Sequence, residues 1–438
     1  MAEITPSTEL KPLDDTISQE YNIWSKNVQY LYDELITTVT KWPSQTIEFF
    51  DYATYDEQKG ITTQNLLTTT QTSGSEQEFL FIKRLDVPDL STEERLREYK
   101  EVGENFEFGI NTQGRSKKHC EGGIKDEITI PIGMEVNRAR ICPQASNLIA
   151  CRGDAADILL YDYTWHKNHK MSDHERKLPQ SETEADFTLK GHKEGGFGLS
   201  WSILQRGLLC SSGNDGSVCV FDLESSKLQG EEIKKRETRS PSLTISHGAS
   251  VAEVCFSKTD PNMLAHVGDD KHLNIVDLRQ YRSENAKNGS LSVKVSETEL
   301  YCVDFPTTSS NKIAVGTMDG IVKIFDIRRL ENDYPLKILT QHTAAITSVK
   351  FNPVDDNLLL SSSDDRRVCV WDCKRSLETH DCQKEKCTCF DEAIPELIFV
   401  HGGHTDNVND AAWNPVETSE IASSGHDCQI NVWKASCF

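Results

Sequence analysis

Several things are scarce in this chain of 438 residues. It opens on "MAEITPSTEL", which has no apolar run, so a secretory leader is not expected. No window reaches the roughly 18 consecutive apolar residues that a membrane span needs. Positive charge is in deficit: 47 Lys and Arg stand against 69 Asp and Glu, a net charge of −22. Phosphate contacts require clustered Lys and Arg, so this balance disfavours naked nucleic acid, sequence-specific binding included, and anionic membrane as main partners. It favours a basic protein. A nucleotide-binding glycine loop, a nucleophile elbow and a convergent carboxylate pair are all missing, which argues against an enzyme and against a bound cofactor.

What is present can build a core. Hydrophobic residues make up 37% of the chain, with 16 Phe, 11 Tyr and 7 Trp. Most of the 14 cysteines sit singly in apolar runs, as Cys219 does in "SVCVFDL" and Cys369 in "RVCVWDC". Reduced cysteines in such runs behave as small buried hydrophobes, which points to a reducing nuclear or cytosolic compartment and not to a disulfide framework.

An internal repeat sets the fold. Six segments end alike: "ILLYDY" at Ile158, "VCVFDL" at Val218, "LNIVDL" at Leu273, "VKIFDI" at Val322, "VCVWDC" at Val368 and "INVWKA" at Ile430. Thirty positions before Asp222, Asp277, Asp372 and Lys434 stand His192, His247, His342 and His404. Seven positions before the same four residues, and before Asp326, stand Asp215, Asp270, Asp365, Asp427 and Asp319. Ile132 and Ser296 occupy the histidine position in the two remaining copies. This is the Gly-His … Trp-Asp spacing of WD-type β-propeller blades, four strands each. A histidine bonded to an aspartate in the turn between inner strands would staple a blade. Residues so distributed around a ring cannot converge on a catalytic or metal site.

Six copies leave one blade to find. "QTIEFF", "QNLLTTTQT" and "EFLFIKRLDV" within residues 45–88 have strand composition and supply it. The expectation is therefore an all-β, seven-bladed WD40 propeller over 43–438. It is preceded by a disordered acidic segment, 1–17, and an amphipathic helix, 18–42, packed on its side. A charged stretch, 89–127, reads as an insertion, and Tyr163–Asp186 and Glu224–Pro241 as loops. The loop 373–396 carries Cys373, His380, Cys382, Cys387 and Cys389. Their spacing matches no strong finger pattern, so no metal is expected there.

The helix rests on Tyr21, Trp24, Val28, Leu31, Leu35 and Val39, which step by three and four along one stripe. Ser18 or Thr16 can cap its start, and Trp42-Pro43 ends it. Tyr30 and Tyr32 flank Leu31, so the apolar face is wider than one contact line needs.

Here the residues carry a resemblance. "YNIWSKNVQYLYDELITTVTKWPSQTIEFF", "MEVNRARICPQASNLIA", "YDYTWH", "LKGHKEGGFGLSW" and "IPELIFVHGGHTDNVNDAAWNP" are similar to the retinoblastoma-associated histone-binding WD-repeat proteins. That family includes the small subunit of the chromatin assembly factor. The resemblance implies a non-catalytic histone chaperone and scaffold that holds the first helix of histone H4, alone or in H3–H4, in a groove on the propeller's side. The apolar wall would be Tyr30, Leu31, Leu35, Phe399 and Val400, with Asp391 and Glu392 as an acidic clamp. Cys387, Cys389 and Phe390 stand where relatives carry more acid. A second, top-face site for basic tails would retain Glu135, Asn137 and Phe197. At that face Gly195, Ala252, Ala345 and His426 fall where relatives tend to be acidic, with Glu194 and Glu253 adjacent. The same resemblance implies a nuclear, and also cytoplasmic, subunit of chromatin assembly, acetyltransferase, deacetylase or Polycomb-type methyltransferase complexes. Two rivals remain. A ribosome-assembly propeller should lack the "YLYDEL" helix and the "PELIFVHGGH" loop. A ubiquitin-ligase substrate receptor would dock through blade-edge arginines such as Arg279 and Arg328.

Overall fold

The computed structural model describes residues 14–89, 123–166, 185–224, 237–281, 290–332, 334–375 and 394–437. Their strands form seven sheets, one per blade. Blade 1 consists of Ile47–Asp56, Ile61–Thr69, Glu78–Pro88 and Gly123–Ile132. The blade expected from residues 45–88 thus takes its fourth strand from the end of the supposed insertion 89–127; residues 90–122 lie outside the described ones. Blades 2 to 5 begin at Val136, Leu199, Val251 and Leu300. Blade 6 is Ile346–Phe351, Leu358–Ser363, Val368–Asp372 and Leu397–His401. Blade 7 is Val408–Trp413, Glu420–Gly425 and Gln429–Ala435 plus one strand from the other end of the chain.

Each blade is apolar on both faces, and the core is accordingly divided into seven clusters, each shared by two neighbouring blades. The last of these, with Ile36, Ile47, Leu66, Ala422 and Val432, joins blade 7 to blade 1 and closes the ring. Closure leaves no sheet edge along the channel, and burial between blades supplies the hydrophobic stabilisation.

The staple is present in four blades. His192 Nδ1 lies 3.4 Å from Asp215, His247 Nε2 2.6 Å from Asp270, His342 Nδ1 2.8 Å from Asp365, and His404 Nδ1 3.2 Å from Asp427. In three of them the other ring nitrogen reaches a serine hydroxyl: Ser211, Ser361 or Ser423, at 2.7 to 2.8 Å. In blade 4 the serine position holds His266, packed edge-on to His247 at 4.8 Å between centroids. Where Ser296 replaces the histidine, Asp319 accepts instead from the hydroxyls of Thr298 and Thr317. These pairs are spread over separate blades, one per turn.

The helix is shorter than its periodicity suggests. α1 runs Asp15–Leu31 and is capped by Asp14, whose carboxylate accepts from Thr16 N at 3.2 Å. It thus begins inside the segment read as disordered, of which residues 1–13 lie outside the described ones. At Tyr32 the backbone turns extended, and β1, Tyr32–Val39, pairs antiparallel with Gln429–Ala435 of blade 7. The run Leu35-Ile36-Thr37-Thr38-Val39 is largely β-branched and favours a strand once a partner edge is offered. Leu35 and Val39 belong to that strand, so the stripe read as helical to residue 42 is helical only to Leu31. The loop Glu224–Pro241 also departs from its reading. Glu237–Arg239 adds a parallel fifth strand to Phe187–Leu189 of blade 2.

Candidate functional site

α1 lies across the outer end of the interface between blades 6 and 7. Val28 is buried there with Tyr32, Leu35, Phe399 and Trp433, while Trp24, Leu31 and Ile398 pack at the margin, half-buried. A polar chain runs through the middle of this contact. Trp24 Nε1 donates to the Tyr32 hydroxyl at 2.9 Å, and that hydroxyl meets His401 Nδ1 at 2.7 Å. The His401 ring stacks on Trp433, with 4.7 Å between centroids and 6° between planes. Burial, with His404 nearby, holds His401 well below the usual histidine range, so it is neutral and accepts the tyrosine proton.

Two further contacts set the helix position. Glu20 pairs with Arg366 of blade 6 at 3.0 Å. Ser436 closes the C-terminal end of α1, its N–H donating to Leu31 O at 3.0 Å and its hydroxyl to Tyr30 O at 3.2 Å. These satisfy carbonyls that a helix end otherwise leaves open. Gly402 and Gly403 let the indole approach: a Cβ on Gly403 would stand 2.9 Å from Trp24 Cζ2 and 2.7 Å from His401 Cε1.

The residues expected to line a groove are divided by this geometry. Tyr30 is 73% exposed and Leu31 half-buried beside it. Leu35 and Phe399, at 5% and 9% exposure, lie inside the blade 6–7 core and offer little surface. Val400 points to the opposite face of blade 6, where it packs at the blade 5–6 cluster with Leu397 and Ile394. Ile398, which the sequence reading passed over, is the residue beside α1. The register slips between Val370 and Trp371, so Ile398 bulges out of the ladder on the α1 side. Alternation alone would not have placed it there, because a bulge shifts the side-chain phase. Ile23, 64% exposed, extends the apolar face of α1 outward from Tyr30. Asp391 and Glu392 lie outside the described residues, as do His380, Cys382, Cys387 and Cys389.

At the top face, Asn137 Nδ2 donates to Gly196 O at 3.2 Å, next to exposed Phe197. Glu135 O accepts from Asp154 N at 3.3 Å across the blade 2 turn. Glu135, Asn137 and Phe197 therefore do share one region, between blades 2 and 3. Glu253 does not join them freely, because Arg138 holds it at 3.1 Å. The sequence reading missed Asp269 and Asp364, whose carboxyls burial pushes up, with Glu299 acting on the first.

The central channel has a cavity of about 430 Å³ lined by side chains from all seven blades, among them Trp201, Trp413, Lys258 and Asp304. Its charges are mutually paired. Asp410 meets Arg138 at 3.4 Å, Arg140 at 3.2 Å and Lys350 at 3.2 Å. These cations hold its carboxyl far below the usual range, against a burial that would raise it. Lys258 is likewise engaged by Asp304 at 2.8 Å. The arginines of the ubiquitin-ligase reading are forked onto their own strands, Arg279 on Asp277 at 2.8 Å and Arg328 on Asp326 at 2.6 Å. Among the described residues no group of three or more His, Cys, Asp or Glu is placed to hold a metal, and no helix is long and apolar enough to cross a membrane.

Comparison with known families follows the same division of the chain. Residues 19–89 match the family model for histone-binding protein RBBP4 or the corresponding CAF1-complex component. Residues 395–434 match the WD domain, G-beta repeat. Residues 238–386 match the N-terminal domain of nucleolar protein 10-like proteins. That last span holds strands of blades 4 to 6 and none of α1, whereas the first spans nearly all of α1, β1 and three strands of blade 1. With the histone-binding element at its N-terminus and the WD repeat behind it, this chain belongs to the histone-binding WD-repeat family.

Proposed function

We propose that this protein is a non-catalytic scaffold and chaperone that takes the first helix of histone H4 against α1. The observation that carries the reading is the coincidence of the matched histone-binding element, residues 19–89, with a helix that lies outside the blades and keeps Ile23 and Tyr30 exposed. An amphipathic basic helix would lay its apolar side on Tyr30, Leu31 and Ile398, and carboxylates at the rim would pair with its Arg and Lys. The net charge of −22 suits such a partner and steers its approach. On this reading the protein presents histones to nuclear chromatin assembly, acetyltransferase, deacetylase or methyltransferase machinery and performs no chemistry itself.

Calorimetric titration with a peptide of the first H4 helix tests it, beside Leu31→Asp. A carboxylate placed unpaired under the peptide should remove binding, since burying it costs several kcal/mol. Circular dichroism shows whether the variant is folded. Absence of binding by the folded wild-type protein would overturn the assignment of H4 as partner.

A further inference from the structure

The seam where the two ends of the chain meet contains more buried acid than base. Glu34 on β1 stands opposite Lys434, which in turn stands opposite Glu420, so the three form one row across three adjacent strands. Both glutamates are buried, Glu34 at 9% exposure and Glu420 at 3%. One carboxylate oxygen of each, Oε1, has no hydrogen-bond partner. The other oxygen of Glu420 accepts from Asn414 Nδ2 at 2.6 Å. The lysine does not neutralise the pair, because its ammonium is directed to a third carboxylate, Glu417, at 3.3 Å.

The surroundings offer no other cation. This face of blade 7 packs on blade 1, which contributes Leu66, Leu85, Val87 and Ile124. Gln64, the polar group there, is tied to Asn414. The charged residues of the facing strand, Lys125, Asp126 and Glu127, are exposed, as is Asp33 at the irregularity between Tyr32 and Glu34. On the opposite face of β1 lies the neutral pair Tyr32 and His401. Two buried carboxylates without a free counter-ion cannot both ionise cheaply.

We propose that the seam is a pH-sensitive latch, in which a proton retained by the Glu34–Glu420 pair secures β1 and, through it, the seating of α1. Burial, with Glu420 next, pushes the Glu34 carboxyl well above its ordinary value, and burial raises Glu420 to about 7. For carboxyls raised in the folded state, the stabilisation is complete below the ordinary glutamate value of 4.5 and is lost as pH climbs through the folded value. Opening of β1 therefore releases a proton between about pH 4.5 and 7, and further for Glu34. His401 acts in the other direction below its ordinary value of 6.5, because opening lets it take a proton up. The latch does not depend on what α1 binds.

The test is amide hydrogen exchange of the full chain at several pH values from 5 to 8, corrected for intrinsic exchange, in wild type and in Glu34→Gln/Glu420→Gln. The His401 contribution is common to both proteins and cancels. With one proton released, the opening constant of β1 in wild type should rise with pH about tenfold per unit more steeply than in the variant. Blades 3 to 5 serve as the internal control and should show no such difference. Equal slopes in the two proteins would overturn the latch, as would a difference spread uniformly over all blades. Should the double variant fail to fold, either single variant is compared in the same way, and an unchanged slope in both overturns the latch equally.

Discussion

The hydroxyl of Tyr32 sits 2.7 Å from Nδ1 of His401, a partner 369 positions away in the chain. That contact joins the first residue after α1 to the last strand of blade 6, and it receives the Trp24 indole N–H as well. Replacing Tyr32 by Phe would leave two buried groups unsatisfied, at a cost of about 1–3 kcal/mol each. Denaturant titration should show this loss, with α1 amides exchanging faster than those of blades 3 to 5.

Gly403→Ala should unseat the helix without touching it. The added methyl would press on both Trp24 and His401, and neither ring has room to retreat from the Tyr32 network. Overpacking of this kind costs about 1–3 kcal/mol. Tryptophan fluorescence and exchange at α1 report it, and Gly402→Ala, whose Cβ would stand at an ordinary 3.5 Å from the indole, should be milder.

Tyr30 and Leu35 should separate binding from folding. Tyr30→Ala removes an exposed ring and should change stability by no more than about 0.5 kcal/mol while weakening an H4-helix peptide. Leu35→Ala empties a buried position next to Trp433 and should cost about 2–5 kcal/mol. Denaturation curves beside peptide titrations of the two variants measure the split. A large stability loss in Tyr30→Ala would place that ring in the core instead.

Asp410 should govern the channel. Three cations converge on it, so Asp410→Asn would leave Arg138, Arg140 and Lys350 facing one another in a buried site. The expected loss is about 3–5 kcal/mol. Because its carboxyl is held far below the ordinary value, its contribution is present above about pH 4 and fades only as pH falls further. Denaturation midpoints between pH 7 and 2 should therefore fall less steeply in the variant than in wild type.

Mild acid should weaken blades 3 and 4. Burial, with Arg152 next, lowers His192 to about 4, and burial, with His247 next, lowers His266 to about 3. Histidines depressed in this way stabilise the fold above their ordinary value of 6.5, and that stability is lost as pH falls toward the folded value. Exchange in these blades should rise from pH 7 to 5, opposite in sign to the carboxyl contribution at the β1 seam. His266→Gln should flatten the blade 4 trend.

Much of this could be read in advance because repeats are local. The 30- and seven-residue spacings that tie His192 and Asp215 to Asp222, and His342 and Asp365 to Asp372, lie within single repeats, where turn geometry and chain length constrain them. The same holds for the apolar strands that end at Asp222, Asp277 and Asp372. The helix was legible to Leu31 for the same reason, since its stripe faces one surface. Beyond Leu31 the reading failed: Leu35 and Val39 continue a three-and-four spacing, yet a strand edge at the far end of the chain decides their conformation. Local propensity there is compatible with either state, and the hydrogen bonds offered by Gln429–Ala435 settle it.

The sequence by itself determined the blades, their staples and the family of the N-terminal element, since each depends on residues near one another in the chain. Tertiary structure alone decided which side chains remain available. Leu35 and Phe399 are buried, Val400 faces blade 5 and Ile398 bulges toward α1 because of register and ring closure. It also brought Glu34 beside Glu420, a pairing invisible in sequence because it arises only when the first strand closes the last blade.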